Sequence, residues 1–465
     1  MDLTLAAPTA TTGLWTPGHR ALTVGLVLTV TLVAFEALAV ATVMPLVERE
    51  LGHLELYGWV FSAFFLGSLV GTVVVGGLLD RGSIVPPLAV GLGLFAIGLT
   101  IGGLAPSMAV LVGGRLLQGL GGGAIAPTAY VAIGRSFPEA VRPRMMFLLS
   151  CAWVVPGIAG PAVAGLLALA VTWRAVFLAL LPIIALAAAT TTRAMARVPA
   201  PPEETVAAAS TVARLPAAIQ VAAGAGLAMA GLTAGISPLA PVLLIAGGVL
   251  ALPAIRRLSP AGTLRLARGL PAAVGLRGVL TFSFFMADAY LPLLLVDWRG
   301  ATAAEAGIAL TASTMSWTFG AWLQTRWVTA RGVAPLVRGG FLVVALGVAA
   351  TLLVLSPAVP WALAVATWAI AGLGMGLAYA PLSLAVLSDA PPESVGAASS
   401  ALQLSDLLGT ALGTGLGGAI IAVGAHAGLQ PWVALAVAHV CGSGAAAFGG
   451  AMGGRLVAPP RAEAA

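Results

Sequence analysis

Residues 21–45 read ALTVGLVLTVTLVAFEALAVATVMP, 25 positions of which only Glu36 is charged. About 20 predominantly apolar residues suffice to cross a bilayer as a helix. The run therefore spans a membrane, and it holds a carboxylate where no water solvates it.

Working outward, similar runs recur along the whole chain. Sixty per cent of the residues are hydrophobic and 8% are charged, against about a quarter charged in soluble domains. The mean hydropathy is +1.04. Apolar and polar residues do not alternate as in a membrane strand, so the fold class is an all-α integral membrane protein. The first run is longer than a signal-peptide core and follows a polar, Pro-containing tail, so it is read as a retained first span. Cys151 and Cys441 both lie in apolar runs and imply neither a disulfide framework nor a metal site.

Apolar segments fall at about 21–45, 57–79, 85–105, 107–134, 145–169 and 173–191, then 215–233 and 238–254, then 271–295, 302–324, 336–356, 359–388, 397–424 and 430–452. The expected organisation is a tail (1–20), a six-helix bundle (21–191), flanks with a central hairpin (192–270), a second six-helix bundle (271–452) and a tail (453–465). The central pair is short and rich in Ala and Gly. It forms either two thin spans or a pair lying on the inner surface.

The net charge is +6, and all 22 basic residues are Arg. Alternating the spans from a cytoplasmic N-terminus leaves three Arg outside (Arg49, Arg174, Arg299) and one within a span (Arg115). The other eighteen, Arg277 among them, fall inside. Cytoplasmic loops carry such an excess, so both termini are cytoplasmic. The arginines are topology signals, and no nucleic-acid partner is implied.

The two bundles resemble each other. GGLLDRG (76–82) at the end of the second span matches GAWLQTR (320–326), and the first span of each block carries one acid, Glu36 and Asp288. Duplicated halves meeting around a midplane site are a transporter architecture.

Several motifs carry a more specific resemblance. PGIAGPAVAG (156–165), in the fifth span, is similar to the antiporter motif of the major facilitator superfamily, with Gly157, Gly160, Pro161 and Gly165 as gating candidates and Ala164 in place of a usual Gly. Small residues let helices approach closely, and a proline loosens one turn. GRLLQGLGGG (114–123) resembles the fourth-span motif, with Arg115, Gln118 and Gly119 matching. FEALAVATVMP (35–45) resembles the first-span signature of the fourteen-helix drug:proton antiporters. Glu36 and Pro45 keep the spacing, while Leu38 and Ala41 replace polar residues. GGLLDRGSIVPPL (76–88) is a degraded form of the loop motif that keeps Asp80 and Arg81, whose basic pair is replaced by Ile84 and Val85. This predicts a weaker conformational lock. WRAVFLALLP (173–182) resembles the opening of the sixth span.

The resemblance covers nearly the whole chain. It implies the major facilitator fold, two six-helix bundles plus a central two-helix hairpin, fourteen spans in all. It also implies export coupled to protons in a bacterial cytoplasmic membrane. The expected partners are protons, the lipid bilayer and a hydrophobic small molecule, neutral or cationic, handled by a monomer. The drive is the proton motive force, without cofactor or metal, and no ATP-binding or hydrolytic motif is present.

An intramembrane acid is costly and faces a partner or a wet cavity. Glu36 lies about 4–5 Å to the outer side of its span's middle and Arg115 about 8 Å to the outer side of its own, at 1.5 Å per residue; the fold that the resemblance implies makes their helices neighbours, and a pair between them, direct or through water, is the resulting hypothesis. Burial favours the neutral carboxyl and a nearby Arg the ionised one, a balance suited to loading and releasing a proton. A cationic substrate competing for the same carboxylate would couple the two fluxes. Asp288, in FFMADAYLP (284–292), is the second candidate, with Phe284, Phe285 and Tyr290 as an aromatic lining. Asp406, beside Gln403 and Ser405 in LQLSDLLGTALGTG (402–415), is the third. His439 is a lone histidine, more often structural.

The sparse polar lining argues against a sugar or nutrient uniporter or symporter. A lipid or glycolipid exporter of the same fold remains the main alternative. A non-transporting sensor or assembly factor would not need several buried acids.

Overall fold

The computed structural model describes residues 13–16, 19–79, 83–139, 141–196, 214–235, 237–391 and 394–456. Asp80 and Arg81 lie outside the described residues. Among these residues there is no strand. Fourteen helical spans follow one another: α1 (Arg20–Leu51), α2 (Tyr57–Leu79), α3 (Val85–Gly103), α4 (Met108–Ser136), α5 (Arg142–Ala170), α6 (Trp173–Met195), α7 (Leu215–Thr233), α8 (Leu239–Leu258), α9 (Leu270–Trp298), α10 (Ala303–Arg331), α11 (Val333–Leu355), α12 (Leu363–Asp389), α13 (Val395–His426) and α14 (Pro431–Met452). Thirteen are long and apolar enough to cross a membrane. The exception is α10, a 29-residue helix diluted by Glu305, Arg326, Arg331 and a Ser/Thr-rich middle. It starts on a capping box, in which Thr302 Oγ1 accepts from Glu305 N and the Glu305 carboxylate accepts from Thr302 N.

Prolines explain where the spans break. Pro292 cannot bond back to the Asp288 carbonyl, and α9 ends its first helix there, turns at Ala289–Tyr290 and finishes in a π turn over Leu294–Trp298. Pro127 likewise frees the Gly123 carbonyl, where α4 is interrupted, and Thr72 Oγ1 donates to that carbonyl at 3.1 Å.

In the first six spans α1 packs on α5 and α6, and α4 on α2 and α3. In the last six α9 packs on α12, α13 and α14, and α12 on α10 and α11. The two sets meet along α2–α13 and α5–α10. The α5–α10 contact is built from the small residues of the fifth span. Gly157 faces the Thr314 methyl, Pro161 faces Gly307, and Gly165 faces the Ala304 backbone. Along α2–α13, Gly58 and Gly418 touch backbone to backbone, Ser62 Oγ donates to the Ala411 carbonyl at 2.8 Å, and the Tyr290 hydroxyl donates to the Thr414 carbonyl. All these contacts lie in the outer halves of the spans, and at the outer rim Arg49 of α1 pairs with Asp297 of α9.

The central segment is a helical pair. Gly224 and Gly231 let α7 lie on α8 at Gly247 and Ala240. The buried face of α7 runs along the α2–α13 line. Ala218 and Val221 sit with Leu69 and Leu404, Ala225 and Met229 sit with Leu66 and Ala411, and Trp59 Nε1 donates to Thr233 Oγ1 at 3.3 Å.

One reading of the arginines is corrected. Arg277 is not a loop charge: it is the eighth residue of α9 and only 5% exposed. Its removal from the inner count leaves the bias intact.

Candidate functional site

Arg115 is held in place by glycines. Gly119 and Gly123 bring the α4 backbone against Phe64 and Ser68 of α2, closer than a side chain would permit. Arg115 then reaches across. Its Nε donates to the Val60 carbonyl at 3.0 Å, and its Nη1 donates to Glu36 Oε1 of α1 and, at 2.8 Å, to Gln118 Oε1. The guanidinium lies 4.3 Å over the Phe64 ring. The pair is dry, with side chains 1% (Glu36) and 3% (Arg115) exposed. Two buried atoms beside it, Glu36 Oε2 and Gln118 Nε2, have no hydrogen-bond partner among the described residues.

A second buried pair stands in the other half, and sequence reasoning saw only its acid. Gly278 packs on Ser405, and Gly409 and Gly413 on the α9 backbone, which sets Arg277 opposite Asp406. Arg277 Nε donates to Asp406 Oδ1 at 2.8 Å. The Tyr379 hydroxyl, from α12, donates to Asp406 Oδ2 at 3.0 Å, and the Arg277 guanidinium lies 3.1 Å from the centre of the Tyr379 ring. Both halves therefore carry the same triple of carboxylate, arginine and aromatic face. The signal for Arg277 was available: like Arg115, it sits several residues inside an apolar run.

A chain of rings links the two triples. Phe64 contacts Phe65 at 5.4 Å, Phe65 contacts Phe285 at 6.3 Å and Phe285 contacts Phe284 at 5.2 Å. Phe284 contacts Trp317 at 5.7 Å, and Trp317 contacts Tyr379 at 5.3 Å. Such spacings are those of favourable edge and offset pairs. Phe284 also stacks on Trp368, whose Nε1 donates to Asp288 Oδ1 at 2.9 Å. Glu36, Arg115, Gln118, Asp288, Asp406, Phe284 and Phe285 thus belong to one connected assembly. Tyr290 stands apart from it, fully buried where α2, α9 and α13 meet. Gln403 is exposed one turn before Asp406. His439 is buried on α14, with Nδ1 2.8 Å from the Leu435 carbonyl.

A cavity of about 160 Å³ opens between α1, α4 and α5, on the inner side of the first pair. Val33, Ile125, Tyr130, Met146 and Trp153 line it. Its lining is mostly apolar, with Tyr130 and Trp153 as two aromatic walls. Neither Tyr130 nor Trp153 stood out in sequence, because an aromatic in an apolar run looks the same whether it packs or lines a space. No group of three or more His, Cys, Asp or Glu able to hold a metal occurs among the described residues.

Residues 26–414 match the family described as the Major Facilitator Superfamily. A probable multidrug-efflux transporter of Mycobacterium tuberculosis is 29% identical over 396 residues, covering 82% of this chain and 83% of that one. The methylenomycin A resistance protein of Streptomyces coelicolor is 27% identical over 456 residues, covering 96% of this chain and 93% of its own. Among solved structures, the peptide transporter POT superposes with a TM-score of 0.67 at 15% identity over 93% of each chain. The nucleoside transporter NupG superposes with a TM-score of 0.64 at 13% identity, over 93% of this chain and 99% of its own. These two likenesses concern the fold.

Proposed function

Because the chain belongs to the major facilitator superfamily, we propose that it exports hydrophobic, cationic small molecules in exchange for protons, by alternating access. The observation that carries the reading is the dry Glu36–Arg115 pair with one carboxylate oxygen unbonded. Glu36 Oε1 is committed to Arg115, and Oε2 is the oxygen that takes the proton. Protonation there neutralises the acid and loosens Arg115, which sits on α4 and feels α2 through Val60. A change of charge at one pair is thereby transmitted to the helices that form the bundle contact.

Export rather than uptake is supported by the relatives, two of which bear the names of an efflux transporter and a resistance protein. The lining supports a hydrophobic cargo, with rings along the middle of the molecule and an apolar cavity beside the first pair. Asp288 and Asp406 supply negative charge for a cation. We place the protein in a bacterial cytoplasmic membrane, acting as a monomer, since one chain supplies both halves of the assembly.

The test uses purified protein in liposomes with a pH-sensitive dye inside, an imposed proton gradient and ethidium as substrate. Substrate-linked proton movement in wild type and its loss in Glu36→Gln are the expected result. Proton movement that persists in Glu36→Gln removes Glu36 from coupling. Absence of any substrate-linked movement in wild type across a broad panel of cations ends the antiport reading.

A further inference from the structure

The two buried pairs differ in one respect that concerns ligands. Glu36 is 1% exposed, whereas the Asp406 side chain is 15% exposed. Asp406 also stands nearer the arginine-rich inner ends: Arg277 is only two turns into α9, and the exposed Gln403 lies one turn before Asp406. Of the two acids, Asp406 is thus the one whose side chain keeps exposed surface and lies toward the inner half.

What surrounds Asp406 is the equipment of a cation receptor. One carboxylate oxygen takes a guanidinium N–H, the other takes the Tyr379 hydroxyl, and the Tyr379 ring face lies against the guanidinium at 3.1 Å. A carboxylate and an aromatic face are what hold a delocalised organic cation. A guanidinium on a flexible stem is itself such a cation. We propose that Asp406 and Tyr379 form a seat for an organic cation, that Arg277 is a tethered stand-in occupying it, and that cationic cargo enters by displacing Arg277 from the carboxylate. The proposal rests on the cargo being cationic and adds where it binds and what it must displace.

The displaced guanidinium is not stranded. Arg277 Nη1 donates to the Tyr379 carbonyl at 2.5 Å and reaches Ser383 Oγ at 3.4 Å, contacts independent of Asp406. That matters, because an uncompensated buried charge is costly. The glycine contacts at Gly278 and Gly409 fix α9 against α13, so the seat keeps its shape while its occupant changes. A tethered competitor also makes the seat selective. A neutral solute gains nothing from Asp406 and leaves Arg277 in place, while a cation is admitted only if it replaces the contacts the guanidinium gives up.

The experiment measures equilibrium binding of tetraphenylphosphonium, and of its neutral analogue triphenylphosphine oxide, to purified full-length protein. Arg277→Gln is expected to tighten tetraphenylphosphonium binding by tenfold or more, Arg277→Lys to behave like wild type, and Asp406→Asn to abolish the gain in the double variant. Binding of the neutral analogue is unchanged throughout. Tyr379→Leu loses at least fivefold for the cation while Tyr379→Phe does not, a comparison that stands even if Arg277→Gln fails to fold. The seat is disproved if Arg277→Gln leaves the cation within twofold of wild type, if both probes shift together, or if the two Tyr379 variants behave alike. If wild type binds neither probe, the reading of the cargo falls with it. If wild type binds both and Arg277→Gln changes neither, only the seat falls.

Discussion

Arg49 at the outer end of α1 is joined to Asp297 at the outer end of α9 by a 2.7 Å ion pair, and its Nη2 also donates to the Val296 carbonyl at 3.2 Å. One residue belongs to the first set of six spans and the other to the last. The pair closes the outer rim in this conformation. Arg49 is 53% exposed, so the pair contributes at most about 1 kcal/mol. Arg49→Gln or Asp297→Asn is expected to raise the outward-open population by up to about fivefold. With Cys151 and Cys441 replaced by Ser, labelling of Ser62→Cys by an impermeant maleimide reads the change. An unchanged rate would show that the rim does not part there.

Gly157 and Thr314 meet where α5 crosses α10, and a methyl at Gly157 collides with Thr314 Cγ2. Gly157→Ala is expected to cost about 1–3 kcal/mol of the closed contact and to slow transport. Thr314→Ala removes the obstructing methyl and restores the rate in the double variant. Slowing that the second substitution does not repair would place the effect outside this crossing.

The Glu36–Arg115 pair is expected to be strongly non-additive. Glu36→Gln leaves Arg115 buried without its acid, a loss of about 3–5 kcal/mol in comparable buried pairs. The double variant with Arg115→Gln recovers part of the thermal stability. Additive shifts in Tm across the double-mutant cycle would mean that the two side chains act independently.

Trp153 and Tyr130 wall the cavity beside this pair. Trp153→Ala is expected to raise KM for a flat hydrophobic substrate several-fold and leave kcat little changed, since the ring contributes binding rather than coupling. A fall in kcat at unchanged KM would count against the cavity as part of the substrate path.

Much of this molecule was legible in its sequence because the bilayer restricts the choices. With no water to satisfy the backbone, runs such as 215–233 can only be helices, and α7 occupies those residues. Glu36 and Arg115 were visible as charges where charge is expensive; that their helices are neighbours came from the family resemblance, and only the packing brings the two side chains into contact. Arg277 escaped because it lies near an arginine-rich end and was assigned to the loops. Tyr379 and Trp368 escaped because an aromatic among apolar residues signals nothing until its neighbour is known. Thr314 escaped for a similar reason: the partner of Gly157 stands more than 150 positions away, and only packing brings them together. The weak hydropathy of α10 has a physical cause too, for this helix meets α5, and the residues that permit close approach are small and polar rather than greasy.

The placement of α7 has a consequence for how cargo arrives. Lying along the α2–α13 line from Ala217 to Thr233, it bars acyl chains and anything dissolved among them from that flank. Among the described residues no helix lies over the α5–α10 flank in this way. In the inner halves of α5 and α10, Phe147, Trp153, Phe319 and Trp322 are all exposed. The α5–α10 flank thus turns four aromatic side chains outward at the depth of the inner leaflet, beside the cavity that Trp153 helps to wall, whereas α7 seals the α2–α13 flank.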